Sequence, residues 1–312
     1  MAPRPIIIDT DPGTDDAIAV WLALASPELE VLGITAVAGN VPLRLTEKNA
    51  RKVCELAKRS DIKVLAGCSR PLLRPLVTAE DFHGETGLGD TDLPEPSMPL
   101  QPGHAVDWLV DTLMAAADGE ITLCPLGPLT NIAMAIVKEP RILPKIREVV
   151  LMGGGFFAGG NITPAAEFNI YCDPHAAHVV FSSGVKLTMM PLDVTHQART
   201  SRDRISAVRA LGTPVGVAAA AMMASHGKRD AQDRDKDGGP LHDPCVIAYL
   251  LQPDLFDGRD CNVRVETGSE ITMGMTVVDW WGVTDGPKNC TVMNRIDADG
   301  YFVLIVERLA RL

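Results

Sequence analysis

Residues 5–25 read PIIIDTDPGTDDAIAVWLALA. An apolar, strand-like run ends at Ile8, and a second apolar run from Ala17 has the length and Ala/Leu content of a buried helix. Between them Asp9, Asp11, Asp15 and Asp16 crowd into eight residues around a Pro12-Gly13 turn. Strand, turn and helix make the opening of a β-α unit, with the acids where the strand ends. A helix-start Asp is an ordinary capping choice, which accounts for one acid or two but not four. Like charges this close need something to neutralise them.

The pattern repeats outward from this unit. VLGITAVAGN precedes TEKNARKVCELAKR, where Ala50, Val53, Cys54 and Ala57 fall on one helical stripe. IKVLAG, ITLCPLG, REVVLMGGG and VKLTMMPLD read as further buried strands, and HAVDWLVDTLMAAAD and LTNIAMAIVKE as helices. Continuous apolar strands alternating with helices predict an open, mostly parallel, Rossmann-like α/β sheet with helices on both faces. The last third is less regular; TVMNRIDADGYFVLIVERL reads as a hairpin. No linker rich in Pro, Gly or Ser divides the chain, so a single domain over 1–312 is expected. In such sheets ligands bind beyond the carboxyl ends of the strands. The polar residues in odd company, Asp9 and Asp11, Asn40, Leu126-Gly127 and MGGG, all follow strands, which predicts one site at one edge of the sheet.

The formal net charge of −11 argues against nucleic-acid binding, which clustered Lys and Arg drive. No apolar run approaches the roughly 20 residues of a membrane helix, and the N-terminal run has no signal-peptide pattern, so a cytoplasmic protein without a membrane partner is expected. Seven scattered cysteines with no C-x-x-C pair read as reduced thiols in the core, not a zinc site or disulfide frame.

Several acids aimed at one locus suit a hard cation with oxygen ligands, Ca²⁺ or the tighter Mg²⁺. An EF-hand loop is excluded: counted from Asp9, its sixth and twelfth places hold Thr14 and Val20, and DRDKDGGPLHDP, from Asp233, ends on Pro244. Gly153-x-Gly155-x-x-Ala158 matches a loose dinucleotide fingerprint, but GGNITPAAEFN follows it instead of a helix.

With these residues in view, DTDPGTDDAIA resembles the N-terminal signature of the inosine–uridine nucleoside hydrolases. The likeness continues through VAGN, FHGETGL, LGPLTNIA, VVLMGGG, AAEFNIYCDP, LDVTH, LHDPC and GMTVVDWWGVTDGPKN, in the family's order. The resemblance implies an N-glycosidase that hydrolyses ribonucleosides to ribose and free base with a bound Ca²⁺, usually as a homodimer or homotetramer. It implies Asp11, bidentate Asp16, Asp243 and the Leu126 carbonyl as metal ligands, with Asp11 also taking the proton of the attacking water. Asp15, Asn40, Asn161, Glu167 and Asn169 match its ribose contacts, Met152 lies under the sugar, and Phe168 belongs to the same EFN segment. His83, in a Gly-rich stretch suited to a mobile lid, matches a base-side position. His242 stands beside Asp243, as a proton donor to the leaving base or as an orienter of its neighbours.

The chain departs from the family where several relatives carry aromatic residues over the base: it has none between Phe181 and Tyr249. FHGETGL, EFNIY and GGPLHDP lean towards the pyrimidine-preferring members, with broad specificity as the alternative. Two other classes stand beside this reading. A haloacid-dehalogenase-type phosphatase also opens D-x-D after a strand, but Pro12-Gly13 fits it poorly. A nucleoside-binding protein without turnover would keep the same pocket.

Overall fold

The computed structural model describes the backbone of residues 2–229 and 238–312. The decoy DRDKDGGP falls largely outside them. The opening segment forms the β-α unit expected of it. Strand β1 (Arg4–Thr10) is followed by α1 (Thr14–Leu24), and every residue of α1 is buried. Past Asp16 the helix is apolar on every side, which fits only such a place. The polar atom within that apolar stretch is satisfied, since Trp21 Nε1 donates to the Val53 carbonyl at 2.9 Å.

From there the chain runs β2 (Leu29–Ala36), α2 (Leu43–Leu56), β3 (Val64–Ala66), α3 (Glu80–His83), α4 (Ala105–Ala115), β4 (Ile121–Pro125), α5 (Thr130–Lys138) and β5 (Ile146–Met152). It continues through α6 (Phe168–Cys172), α7 (Pro174–Phe181), β6 (Leu187–Met190), α8 (Leu192–Thr195), α9 (Arg202–Arg209), α10 (Pro214–Arg229) and α11 (Pro244–Leu251). The described chain closes with β7 (Phe256–Cys261), β8 (Val263–Val265), β9 (Thr276–Val278), β10 (Cys290–Ile296) and α12 (Ala298–Leu309).

Eight strands form one sheet in the order β3-β2-β1-β4-β5-β6-β10-β7, parallel except for β7, which pairs antiparallel with β10. The sheet is open, with helices on both faces. Ile6 and Ile8 enter the core shared with α1, α2, α10 and α11, whereas Ile7 enters the one shared with α4, α5 and α7. That period of two is why a strand buried on both faces reads as an unbroken apolar run. β1 lies between β2 and β4: the chain first winds outward to β3, then returns to β4 on the other side. The switch opens a crevice at the carboxyl ends of β1 and β4.

The C-terminal hairpin expected from the sequence is instead a strand and a helix. Asp297 caps α12 by accepting the Gly300 N–H at 3.1 Å, and Tyr301, Phe302, Leu304, Ile305 and Leu309 are buried at helical spacing. The turn-like DADG is a helix start.

Candidate active site at the strand ends

Asp11 follows β1 directly and is fully buried. Its Oδ2 accepts the Asn40 N–H at 2.6 Å, while Oδ1 is buried with no hydrogen-bond partner. A Cβ on Gly39 would come within 2.0 Å of Oδ2, and one on Gly127 within 2.2 Å of Oδ1. The turns after β2 and β4 therefore grip this carboxylate from two sides, and only glycine permits the approach.

The turn Pro12-Gly13 swings the chain into α1 and carries the next two acids across the crevice. Asp16 accepts the Thr10 hydroxyl on Oδ1, and the Gly13 N–H (2.8 Å) and Asn40 Nδ2 (3.1 Å) on Oδ2. Asp15 accepts backbone N–H groups of His242 and Asp243. Asp243 precedes α11, whose start brings it to the same place. One carboxylate oxygen from each of Asp15, Asp16 and Asp243 lies within 4.8 Å of the others, all three buried. Asp11 adjoins this trio, its charge acting on Asp243 and that of Asp16 on it.

Without a counter-charge the cluster resists ionisation. Burial pushes Asp15 up to about 6, and burial followed by the charge of Asp15 pushes Asp16 up to about 6. Asp11 and Asp243 are also raised, by burial first and by the neighbouring carboxylates second. These residues fit a hard divalent cation: the donors are carboxylate oxygens, one of them is an orphaned buried atom, and a cation would reverse the shifts.

Asp9 faces elsewhere. Its Oδ1 accepts the Thr35 hydroxyl and Asn131 Nδ2 (2.8 Å), and burial pushes it up to about 7. It braces β1 against β2 and α5 through side chains.

The sugar-side residues surround the same crevice. Asn169 Nδ2 donates to the Leu126 carbonyl at 2.7 Å and lies 3.2 Å from that of buried Met152. Glu167 caps α6, accepting the N–H groups of Asn169 (2.8 Å) and Ile170 (3.2 Å), and reaches back to Gly154 N–H at 2.9 Å. Burial pushes Glu167 up to about 7. Phe168 is buried in α6, and its N–H donates to Oδ1 of the exposed Asn161 at 2.9 Å. Asn161 thus sits on the rim.

Five successive amides after β5 all end on side chains. Gly154 donates to Glu167, Gly155 to Thr276 Oγ1 (2.9 Å), and Phe156, Phe157 and Ala158 to the two oxygens of Asp193 at 2.9 Å each. The loop from Met152 to Glu167 is therefore pinned from three separate segments.

His83 closes α3 and is buried over the start of α1, where its Nδ1 accepts the Thr14 N–H at 3.3 Å. His242 Nδ1 lies 2.7 Å from the Thr195 hydroxyl, and its ring centroid lies 5.7 Å from that of His196. Asp11, Asp15, Asp16, Asn40, Leu126, Met152, Glu167, Asn169, His83, His242 and Asp243 thus share one crevice. Sequence reading passed over Thr10, Thr195, Asp193, Thr276 and Asn131. Single hydroxyls and amides on apolar elements carry no periodic or compositional signal, although LDVTH, which holds Asp193 and Thr195, was already a motif.

The profile of the inosine-uridine preferring nucleoside hydrolase family matches residues 6–303. An uncharacterised protein of Schizosaccharomyces pombe is 52% identical over 98% of this chain and 99% of its own. A pyrimidine-specific ribonucleoside hydrolase, RihA, of Shewanella is 48% identical over 98% of this chain and 96% of its own. Among solved structures, a plant nucleoside hydrolase superposes with a TM-score of 0.92 at 32% identity, covering 99% of both chains. A purine-preferring ribonucleoside hydrolase from Gardnerella vaginalis also superposes with a TM-score of 0.92, at 31% identity over 98% of both chains. Sheet order, acid crevice and whole-chain similarity agree: the chain belongs to the inosine–uridine-preferring nucleoside hydrolase family of N-glycosidases.

Proposed function

We propose that this protein is a Ca²⁺-dependent ribonucleoside hydrolase with a preference for uridine and cytidine. The observation that carries the reading is the buried trio Asp15, Asp16 and Asp243, its oxygens within 4.8 Å of one another beside the orphaned oxygen of Asp11. Asp11, Asp16, Asp243 and the Leu126 carbonyl would hold the cation. When bound, the ion supplies positive charge that acidifies a nearby water and steadies vicinal hydroxyls.

The chain's own residues do the rest. Asp11, held as a carboxylate among these groups, takes a proton from the attacking water. Asp15 accepts a ribose hydroxyl, and Asn40, Asn161, Glu167 and Asn169 orient the sugar above Met152. Cleavage passes through an oxocarbenium-like state, and the ring of buried carboxylates lowers its energy electrostatically. Thr195 fixes the His242 ring, which donates a proton to the leaving base. His83, its Nδ1 accepting from Thr14, stands on the base side. Phe168 fills the wall behind. Among the described residues no Arg or Lys joins this group, and nucleotides are expected to be poor substrates.

Pyrimidine preference is supported by the name of the 48% identical relative. Broad specificity is the second reading, favoured by the purine-preferring structure of near-identical fold and by the absence of aromatics between Phe181 and Tyr249. We propose a cytoplasmic homodimer or homotetramer. Among the described residues no helix is long and apolar enough to cross a membrane.

The test is ribose release from uridine, cytidine, inosine, adenosine and uridine 5′-monophosphate after chelation, with and without added Ca²⁺. Calcium-restored release from uridine and cytidine is expected. Equal release from inosine makes the enzyme a generalist, and none from any nucleoside sinks the mechanism.

A further inference from the structure

Cys261 ends β7 and Cys290 begins β10, and the two are Cα partners in the sheet's antiparallel ladder. Directly opposite residues in such a ladder stand about 4.5–5.5 Å apart at Cα and point to the same face. A disulfide accepts Cα separations of about 4.4–6.8 Å. Both thiols are buried, at 1% and 4% exposure, in the core that also holds Leu187, Val263 and Val265. They are close enough that the Cys290 thiol, pushed up mainly by burial, is raised further by Cys261. None of the shifts of Cys54, Cys68, Cys124, Cys172 or Cys245 has another cysteine among its causes. All seven cysteines are free.

What lies between the pair gives it a consequence. The excursion 262–289 carries β8, β9, Thr276 and Trp280. The Thr276 hydroxyl bonds Gly155 twice, accepting its N–H at 2.9 Å and donating to its carbonyl at 2.7 Å. Trp280 stacks on Phe156 with ring centroids 5.1 Å apart. The excursion therefore buttresses the loop that leads from Met152 to Glu167. Its own base is held by the β7–β10 ladder at the edge of the sheet and by Asn289, whose Oδ1 accepts the Val263 N–H at 2.8 Å and whose Nδ2 donates to the Phe181 and Val263 carbonyls; no covalent bond joins the two strands.

We propose that Cys261 and Cys290 form an oxidisable dithiol whose disulfide staples the base of this excursion and so stiffens the loop beside the crevice. With hydrogen peroxide as oxidant, one thiol gives up its proton and its sulfur attacks a peroxide oxygen. The O–O bond breaks, leaving a sulfenic acid, and the departing hydroxide takes up the released proton as water. The second sulfur then attacks the sulfenic sulfur. The S–S bond forms, the S–O bond breaks, and the hydroxyl leaves with the second thiol's proton as another water. Two thiols lose two electrons and two protons, and one peroxide becomes two waters. Burial keeps both thiols largely protonated, so closure is slow in the folded protein.

The test incubates the full chain with hydrogen peroxide or with a reductant, blocks remaining thiols after denaturation, and maps the peptides by mass spectrometry. Expected are a Cys261–Cys290 linked peptide, two fewer blocked cysteines, a higher melting temperature and slower amide exchange at 153–158, all reversed by reductant. Cys290→Ala and Cys261→Ser should each abolish the linked peptide and the peroxide-dependent changes. Blocking of all seven thiols after peroxide, or a link to a different cysteine, overturns the pair. A Cys261–Cys290 link that leaves melting and exchange unchanged overturns the staple. Neither readout depends on hydrolase activity.

Discussion

Asp11 has almost no freedom: one oxygen receives the Asn40 amide, the other is buried without a partner, and glycines at 39 and 127 leave no space for it to turn. Asp11→Ala is expected to cut kcat by about 10³-fold, within the range for losing a general base, with an unchanged circular dichroism spectrum; an active variant removes Asp11 from the chemistry. Gly127→Ala tests the grip itself. Its methyl group would meet Oδ1, so calorimetry should show weaker Ca²⁺ binding with all four acids still present, and unaltered binding would show that the carboxylate can yield. At this scale the sequence displayed the acids but not their division of labour. Asp9 and Asp11 look alike in DTDP, yet Asp9 still lies within β1, where it meets Thr35 of β2 and Asn131 of α5, whereas Asp11 lies past the strand's end. Only partners far along the chain reveal that, and only they show which hydroxyl steadies His242.

The loop after β5 behaves as an element although it is neither helix nor strand, because side chains have replaced neighbouring backbone as acceptors for its amides. Asp193 takes three of them. Asp193→Ala should speed hydrogen exchange at 156–158 and raise the KM for nucleoside with little change in kcat, since the sugar contacts loosen while Asp11 is untouched. A loss confined to kcat would assign Asp193 another role. The β-α units were legible because burial on both faces writes unbroken apolar strands, and because α2 carries an amphipathic stripe. α12 was misread for a local reason: DADG has turn chemistry, and a capping Asp with glycine three residues on looks the same in sequence as a hairpin tip. The excursion 262–289 has short strands whose partners are set by the fold, so its role was invisible.

On the scale of the whole molecule, the buried acids make stability depend on pH and on cation together. Glu167 and Asp9 have folded pKa values near 7, and Asp15 and Asp16 near 6, all above the ordinary carboxylate range. In chelated protein the folded state therefore holds protons that the unfolded chain has released. The contribution of these four groups is fully present below about pH 4 and is lost as pH rises to about 7, and Asp11 and Asp243, also raised, add to the decline. Differential scanning fluorimetry of chelated protein should show the melting temperature declining across that window, and a rise with pH would contradict the assignment of these groups as buried and unneutralised. At pH 7, added Ca²⁺ should raise the melting temperature in proportion to the logarithm of its concentration, and no response would argue against a charge-neutralising ion. The amide of Asn169 resting on the Leu126 carbonyl ties these quantities to substrate. The proposed sugar side and the proposed cation side draw on the same oxygen, so filling either changes the electron density and orientation offered to the other. Binding free energies are path-independent, so whatever factor ribose imposes on calcium affinity, calcium must impose on ribose affinity. Each affinity then depends on whether the other ligand is present, and either constant measured alone describes half of a pair.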